Sequence, residues 1–172
     1  AFFGHDSFKR KRLTTGVGNH DDGSVAYSQH FANPNVRADS GTRNAGEEGG
    51  NFWFIYNNVL FISLNMNNRA YNEHINFLEQ ITGMYKAQTD WQVVTFHQSI
   101  FSAATHSDRA GIVNQRNQLA PVLSRCGIDL VLMGHDHSYL RTYLMNGTTP
   151  YVDSPIKSSH DNPGEHQVLY VT

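Results

Sequence analysis

The sequence is poor in cysteine, with Cys126 as its single example among 172 residues. An internal disulfide framework is therefore excluded, and we interpret Cys126 as a small buried hydrophobic residue. Net charge is also low, because 13 basic residues nearly balance 15 acidic ones to give −2. This balance provides no electrostatic basis for binding nucleic acid, so we expect no nucleic-acid partner.

Long apolar runs are lacking as well, and a membrane-spanning helix needs about 20 apolar residues in succession. We therefore expect no membrane partner. The one basic run, Lys9-Arg10-Lys11-Arg12, is interpreted as a solvated loop, since four charges without a binding motif are a weak signal for nucleic acid. The hydrophobic fraction of 39% suits a globular core, and the length indicates a single domain over residues 1–172.

Histidine is what the sequence has in excess, with ten residues. Neutral imidazole is the commonest protein ligand for zinc, iron and similar metals, so the positions of these residues matter. Five of them lie in segments that can carry chemistry: His20, His97, His106, His135 and His137. The other five are interpreted as ordinary surface or packing residues: His5, His30, His74, His160 and His166.

The segment Gly134-His135-Asp136-His137 follows the short apolar run Ile128–Met133. This run has the length and the β-branched content of a strand. A strand that ends in Gly-His-x-His delivers two imidazoles at its carboxyl end, where a turn at Gly134 would let both approach neighbouring metals. By itself the pattern is equally typical of a surface turn.

Two further segments decide between these alternatives. Trp91–Phe96 is another apolar strand pattern, and His97 follows it directly. Gly18-Asn19-His20-Asp21 lies on a loop after a glycine-rich turn, where on its own it would be interpreted as an Asx turn. Three separate segments that each carry a metal-capable residue at such a position indicate a shared metal site.

Together with Tyr139 and Arg141-Thr142, these segments resemble the calcineurin-like metallophosphoesterases. Within that family the ending Gly-His-x-His-x-Tyr-x-Arg-Thr is most similar to the purple acid phosphatase-like branch, and the resemblance runs from about Leu13 to the C-terminus. It implies an α/β fold, an α/β/β/α sandwich of two mixed sheets. It also implies a phosphatase or phosphodiesterase that acts on a small-molecule phosphoester. An extracellular or cell-envelope location is expected from the resemblance alone.

The resemblance also implies roles for individual residues. Asn19, His97 and His135 would bind one metal ion and His137 the other, with iron, zinc or manganese as the candidates. Two such ions clamp the phosphate and lower the pKa of a bound water. His20 would contact the substrate phosphate, and Asp21 would orient a neighbouring ligand.

His106 lies nine residues after His97, where purple acid phosphatase-like sequences carry a histidine that protonates the leaving alkoxide. Histidine suits this role as a residue type because it titrates near neutral pH. A solvated loop histidine is an almost equally good interpretation. The sequence therefore leaves the role of His106 open.

The sequence departs from the family pattern upstream of Asn19. The family carries an Asp-x-Gly aspartate and a Gly-Asp-x-x-Tyr segment there, whereas Asp6 is the sole acidic residue among the first 18 and Lys9 stands three positions on. The bridging carboxylate is thus missing, and we interpret the chain as an internal piece of a longer enzyme, incomplete at the N-terminal side. We expect at most one weakly bound metal here, and self-association through an exposed sheet edge. The alternative is a non-catalytic scaffold or binding module.

Periodicity predicts three helical segments. A short turn is expected over Tyr27–Phe31, and a helix over Asn72–Ala87 with Asn72 as its cap. A further helix over Ile112–Cys126 is expected to be interrupted or restarted at Pro121. Gly127 is expected to end that helix.

Two hairpins and a last strand complete the expectation. The first hairpin pairs Phe52–Tyr56 with Val59–Leu64 around Asn57-Asn58, a dipeptide that tolerates positive φ. The second pairs Tyr139–Met145 with Thr148–Val152 around Asn146-Gly147. A polar loop over Ser154–Glu165 and a strand over Gln167–Val171 follow.

Overall fold

The computed structural model describes residues 13–21, 23, 25–42, 49–152 and 167–172. Within these residues, three α-helices and one 3₁₀ helix alternate with strands. The helices are α1 (Val25–His30), α2 (Tyr71–Tyr85), the 3₁₀ turn Lys86–Gln88 and α3 (Ala110–Cys126). The strands are β1 (Phe52–Tyr56), β2 (Val59–Ser63), β3 (Trp91–Gln98), β4 (Leu130–Gly134), β5 (Leu144–Asn146), β6 (Thr149–Tyr151) and β7 (Leu169–Val171).

Five of the strands form one mixed sheet in the order β1-β2-β3-β4-β7. The first pair is antiparallel, and the pairs β2-β3, β3-β4 and β4-β7 are all parallel. The two strands that precede the candidate histidines, β3 and β4, are therefore internal neighbours whose carboxyl ends lie at the same edge of the sheet. The outermost strands of this sheet, within the described residues, are β1 and β7. Residues 140–145 pair with the outer side of β7, so the open edge belongs to β1.

The predicted hairpin over β1 and β2 is confirmed. Tyr56 pairs with Val59, which leaves Asn57 and Asn58 as a two-residue loop. Both asparagines have positive φ, 48° and 61°, as a turn that matches the twist of a hairpin requires.

Helices α2 and α3 pack against each other and against one face of the sheet. This interface contains the fully buried side chains, each of which stabilises the fold by about 1.5–3 kcal/mol. From the sheet they include Leu60, Ile62, Val94, Val131 and Tyr170, and from the helices Leu78, Leu119 and Leu123. The opposite face is more open, with Leu132 40% exposed, so the core lies on the helical side.

Helix α2 begins at Tyr71, and the prediction that Asn72 caps it is wrong. Ala70 occupies the cap position without any side-chain hydrogen bond. Instead, the backbone N–H of Ala70 donates to Oδ1 of Asn68, 2.7 Å away. Asn68, three residues before Tyr71, thus holds the residue that precedes the helix, and no side chain caps the first turn.

Helix α3 runs continuously through Pro121, so the predicted interruption is wrong. Ala120 and Val122 on either side of the proline are buried in the core, and this packing holds the helix together across the missing N–H group. The predicted end at Gly127 is confirmed: its φ is 69° and its N–H donates to the carbonyl groups of Leu123 and Ser124. Cys126 is buried, as predicted, and burial raises the pKa of its thiol.

The second hairpin is shorter than predicted and is shifted by one residue. Asn146 pairs with Thr149, so the loop consists of Gly147 and Thr148 rather than Asn146 and Gly147. The backbone N–H of Gly147 donates to Oγ of Ser124, which fixes the hairpin to α3. The predicted polar loop at 154–165 lies outside the described residues.

The mixed α/β class expected from the sequence is confirmed, with a five-stranded sheet and a separate two-stranded sheet. Among the helices of the described residues, none is long and apolar enough to cross a membrane.

Candidate metal centre

His97 lies in an irregularity at the carboxyl end of β3. Thr95 pairs with Leu132 and Gln98 pairs with Gly134, so three steps along β3 correspond to two along β4. Such a bulge turns a side chain away from the regular alternation of a strand, and bulges are common beside functional sites. The bulge brings His97 to the sheet edge where β4 ends.

The chain after β4 turns at the histidines themselves and not at Gly134. His135 and His137 have φ values of 76° and 50°, a left-handed conformation that is uncommon for residues with a side chain. Each such residue costs about 1–3 kcal/mol, and residues of this kind concentrate at functional sites. The expected turn is therefore present, but the backbone strain falls on the candidate ligands.

The loop that carries Asn19 is held to the same edge by hydrogen bonds. Nδ2 of Asn67 donates to the carbonyl oxygen of Gly18 at 2.9 Å, and Nε2 of Gln98 donates to Oδ1 of Asn67 at 2.8 Å. Asp21 closes the loop, because its carboxylate accepts from the N–H of Gly18 at 3.1 Å. A Cβ at Gly18 would lie only 3.4 Å from the His97 ring, so glycine permits the close approach.

Asn19, His97 and His135 converge at this edge. Nε2 of His97 lies 2.7 Å from Oδ1 of Asn19, and Nδ1 of His135 lies 3.1 Å from Nε2 of His97 and 3.2 Å from Oδ1 of Asn19. Ligands about 2.0–2.1 Å from a tetrahedral metal stand about 3.3 Å from one another. The three atoms are therefore spaced as the ligands on one face of a tetrahedral metal site would be, and a donor set of this kind suits a borderline ion such as zinc, iron or manganese.

The electrostatics of the edge favour the neutral form of His97. Its pKa is lowered, first by burial and next by the charge of His135, while the carboxylate of Asp21 opposes the shift. The charges of His20 and His137 add to the lowering, which places both residues near His97. A neutral imidazole offers the lone pair that a metal ligand needs.

His106 is paired with a carboxylate that the sequence interpretation assigned no role. Nδ1 of His106 lies 2.8 Å from Oδ1 of Asp136, whose side chain is only 1% exposed. Burial alone would raise the pKa of Asp136, but hydrogen bonds from Ser102 and His106 and the charges of His106 and His135 lower it. The ring of His106 also lies 5.4 Å from that of His135. Asp136 therefore fixes the orientation of His106 next to the candidate ligands.

His106, His135 and Asp136 also have ligand-type atoms within 4.8 Å of one another. The hydrogen bond from His106 already uses one oxygen of Asp136, which favours an orienting pair over a second ion site. In the sequence, the only sign that Asp136 could belong to the site is its position between His135 and His137. The structure thus brings together Asn19, His97 and His135 and sets His106 beside them.

A family model described as calcineurin-like phosphoesterase matches residues 5–139. The chain belongs to the calcineurin-like phosphoesterase family. The resemblance seen in the sequence is confirmed at this level, and the match includes Asn19, His97, His106, His135 and His137.

The chain is also similar to two curated proteins and to a solved structure. Uncharacterized proteins MT2654 and Rv2577 from two strains of Mycobacterium tuberculosis are each 28% identical over 148 residues. The match covers 76% of this calcineurin-like chain and 26% of each relative, so the chain spans about a quarter of their length.

Among solved structures, purple acid phosphatase PPD1 from yellow lupin (Lupinus luteus) seeds has a similar fold, with a TM-score of 0.58 at 14% identity. The similarity covers 76% of this chain and 23% of the lupin protein. It agrees with the purple acid phosphatase-like branch expected from the ending of the motif, at the level of the fold.

Proposed function

We propose that the protein containing this chain hydrolyses phosphoesters of small molecules at a binuclear metal centre, of which this chain carries the C-terminal half. The observation that carries the proposal is the convergence of Asn19, His97 and His135, whose ligand atoms lie within 3.2 Å of one another. These residues would hold one ion. His137, three residues after the end of β4, would bind the other. When bound, the ions supply charge neutralisation of the phosphate and an activated water nucleophile.

The chain's own residues would position the substrate and move the proton. His20 would contact the phosphate from the Asn19 loop. His106 would act as the imidazolium, with its Nδ1–H donating to Asp136 and its Nε2–H passing to the leaving oxygen, which would leave the ring neutral. The hydrogen bond between His106 and the buried carboxylate of Asp136 supports this role over that of a solvated loop histidine.

A phosphatase assay with added manganese or zinc tests the proposal on this chain and on a longer version of the protein. We expect activity in the longer version, since the bridging carboxylate of the family is missing from the segment before Asn19. No activity in either version, with metals bound, would favour the alternative of a non-catalytic binding scaffold.

The metal content of the chain alone is a separate expectation. Three ligands for one ion and one ligand for the other should hold at most one divalent ion, and weakly. Elemental analysis after dialysis checks this expectation, and two firmly bound ions per chain would contradict it.

We also propose that this chain self-associates through an exposed sheet edge. The outer strand β1 carries Ile55 and Tyr56, which are 40% and 59% exposed, and strand edges of this kind pair with other chains. Sedimentation should show concentration-dependent oligomers. A strict monomer that unfolds cooperatively at high temperature would contradict the proposal.

A further inference from the structure

A cavity of about 690 Å³ opens beside the candidate ligands and extends away from them to the first turn of α3. Asn19, His106 and His135 line it on the side of the candidate metal centre. Arg69, Arg109 and Gln115 line it elsewhere. Its size falls within the range of about 300–1,000 Å³ that is usual for small-molecule sites, and it is larger than one phosphate requires.

The part of the cavity away from the metal centre is positively charged. Nη1 of Arg69 lies against the start of α3, 3.7 Å from where a Cβ of Gly111 would be. Neither Arg69 nor Arg109 takes part in a salt bridge between described residues. The described residues that line the cavity include no carboxylate. As far as the described residues show, the two guanidinium groups have no carboxylate partner and can meet an anion.

The beginning of α3 adds donors to the same wall. Arg109 occupies the cap position, and its side chain cannot accept a hydrogen bond from the first turn. The N–H groups of Ile112 and Val113 bond to the carbonyl of Arg109, whereas a helix has no internal partner for those of its first two residues, Ala110 and Gly111. A 17-residue helix also places partial positive charge at this end.

Gln115 provides an independent sign of a ligand. Gln115 is only 5% exposed and lines the cavity, and its Nε2 has no hydrogen-bond partner among the described residues. An unpaired buried amide donor costs about 1–3 kcal/mol, which an oxyanion in the cavity would offset. Arg69, Arg109, Gln115 and the first turn of α3 thus present donors to one space.

We infer that this cavity binds a second anionic group on the leaving part of the substrate, so that the preferred phosphoesters carry a further carboxylate or phosphate. This inference rests on the proposed function, because it places the scissile phosphate at Asn19, His97 and His135. Arg69 and Arg109 would then determine specificity without taking part in bond cleavage. A leaving group of this kind remains charged after cleavage and is released as a free anion.

Two aryl phosphates of equal size test the preference in the longer, metal-loaded version of the protein. 4-Carboxyphenyl phosphate carries the second anion, and 4-carbamoylphenyl phosphate is its neutral counterpart. We expect kcat/KM to favour the carboxylate by about tenfold or more, the value of one hydrogen bond to a charged group. Arg69→Gln and Arg109→Gln should each reduce this ratio. Arg125→Gln, at the other end of α3, should leave it unchanged.

Binding of non-hydrolysable phosphonates separates this inference from the proposed function. By calorimetry, 4-carboxyphenylphosphonate should bind about tenfold more tightly than phenylphosphonate, and Arg69→Gln and Arg109→Gln should remove the difference. Arg69→Lys should restore part of it. Tighter binding of 1,4-phenylenebisphosphonate than of the carboxylate would identify phosphate as the preferred second group.

The possible failures are distinct. If no phosphoester is hydrolysed but the binding preference persists in the native sequence, the proposed function fails and the anion site stands. Equal binding of 4-carboxyphenylphosphonate and phenylphosphonate would overturn the anion site, as would an equal loss of preference in Arg125→Gln.

Discussion

Two polar clusters in this chain consist of the same residue types, histidine and asparagine, but differ in how their polar atoms are arranged. At the strand ends, Asn19, His97 and His135 direct their ligand atoms toward one point. Beneath α2, His74 and Asn51 form an ordinary hydrogen-bonded network: Nε2 of His74 donates to the carbonyl of Asn68 at 2.9 Å, and its Nδ1 accepts from Nδ2 of Asn51 at 3.0 Å.

The buried network also provides hydrogen-bond partners for the other polar atoms of the Asn51 side chain. Its Oδ1 accepts from the backbone N–H of Asn65 at 2.9 Å, and its Nδ2 also lies 2.8 Å from Oγ of Ser40. Asn51 and His74 are both 0% exposed. The difference between the clusters teaches that mutual satisfaction of donors and acceptors marks a structural role, whereas convergence of ligand atoms at an open edge marks a binding role. This distinction can be tested one residue at a time.

The largest effect is expected from His135→Ala. Partners outside the ligand set typically change metal affinity by about 10- to 100-fold, so loss of a ligand should exceed about 100-fold and remove hydrolysis of every phosphoester. The free energy of unfolding of the metal-free protein should change by less than about 1 kcal/mol. Metal titration and chemical denaturation measure the two quantities. An unchanged metal affinity in this variant would contradict the assignment of a binding role to the cluster at the sheet edge.

His106→Ala should act on catalysis alone, in the longer protein. General-acid help is typically worth about 100- to 10,000-fold, and an alkyl phosphate needs the proton because its alkoxide is strongly basic. Nitrophenyl phosphate, with a weakly basic leaving group, should be slowed much less. Metal content must be measured in the variant, so that a lost ion is not mistaken for a lost proton donor. Equal losses on both substrates would reject the acid role.

His74→Ala should affect stability and leave metal binding intact. The substitution leaves a cavity and removes a hydrogen-bond partner from the side-chain amide of Asn51. Together these losses should lower the free energy of unfolding by about 3 kcal/mol. Exposed His30 provides the matched control, since His30→Ala should change that free energy by no more than about 0.5 kcal/mol. Chemical denaturation in the presence of a chelator makes the measurement. Similar small losses in both variants would show that the network is not structural.

The smallest effect is a pH dependence. Burial lowers the pKa of His74 below its ordinary value of 6.5, against the opposing influence of the Asn68 carbonyl and the charge of Glu73. The unfolded chain therefore takes up a proton first, and stability is lost as the pH falls below 6.5, by at most about 1.4 kcal/mol per pH unit. His74→Gln should flatten the stability profile between pH 7 and pH 5 in metal-free protein, whereas His30→Gln should not.

The convergence of His97 and His135 could be predicted because both follow apolar runs, and parallel neighbours end at the same edge. Asp136 could not be assigned a role, since its partner His106 lies 30 residues upstream and only the fold brings the two together. His74 was interpreted as an ordinary surface or packing residue, and the structure shows that it packs in the interior. Its partner Asn51 is 23 residues away, so the network could not be predicted from the sequence.

Predictions made from local sequence preferences were wrong at three positions. Asn72 is a favourable cap residue, Pro121 is an unfavourable interior residue, and Asn146-Gly147 is a favourable turn. Helix α2 instead begins before Asn72, after Ala70, whose N–H is held by Asn68. In the other two cases tertiary contacts decided otherwise, because the core holds α3 together and Ser124 fixes the hairpin at Gly147. The separate roles of His20 and His137 stay predictions, since only their electrostatic influence on His97 is seen.

The positions of the three converging residues along the chain have a consequence for folding. Asn19 is 78 residues from His97 and 116 from His135, so the cluster can form only after most of the chain has been arranged. Contacts of such large sequence separation are slow to form, because loop-closure entropy must be overcome before they contribute. An ion held there would clip together distant parts of the polypeptide, so that metal uptake would report the completion of folding and slow its reversal.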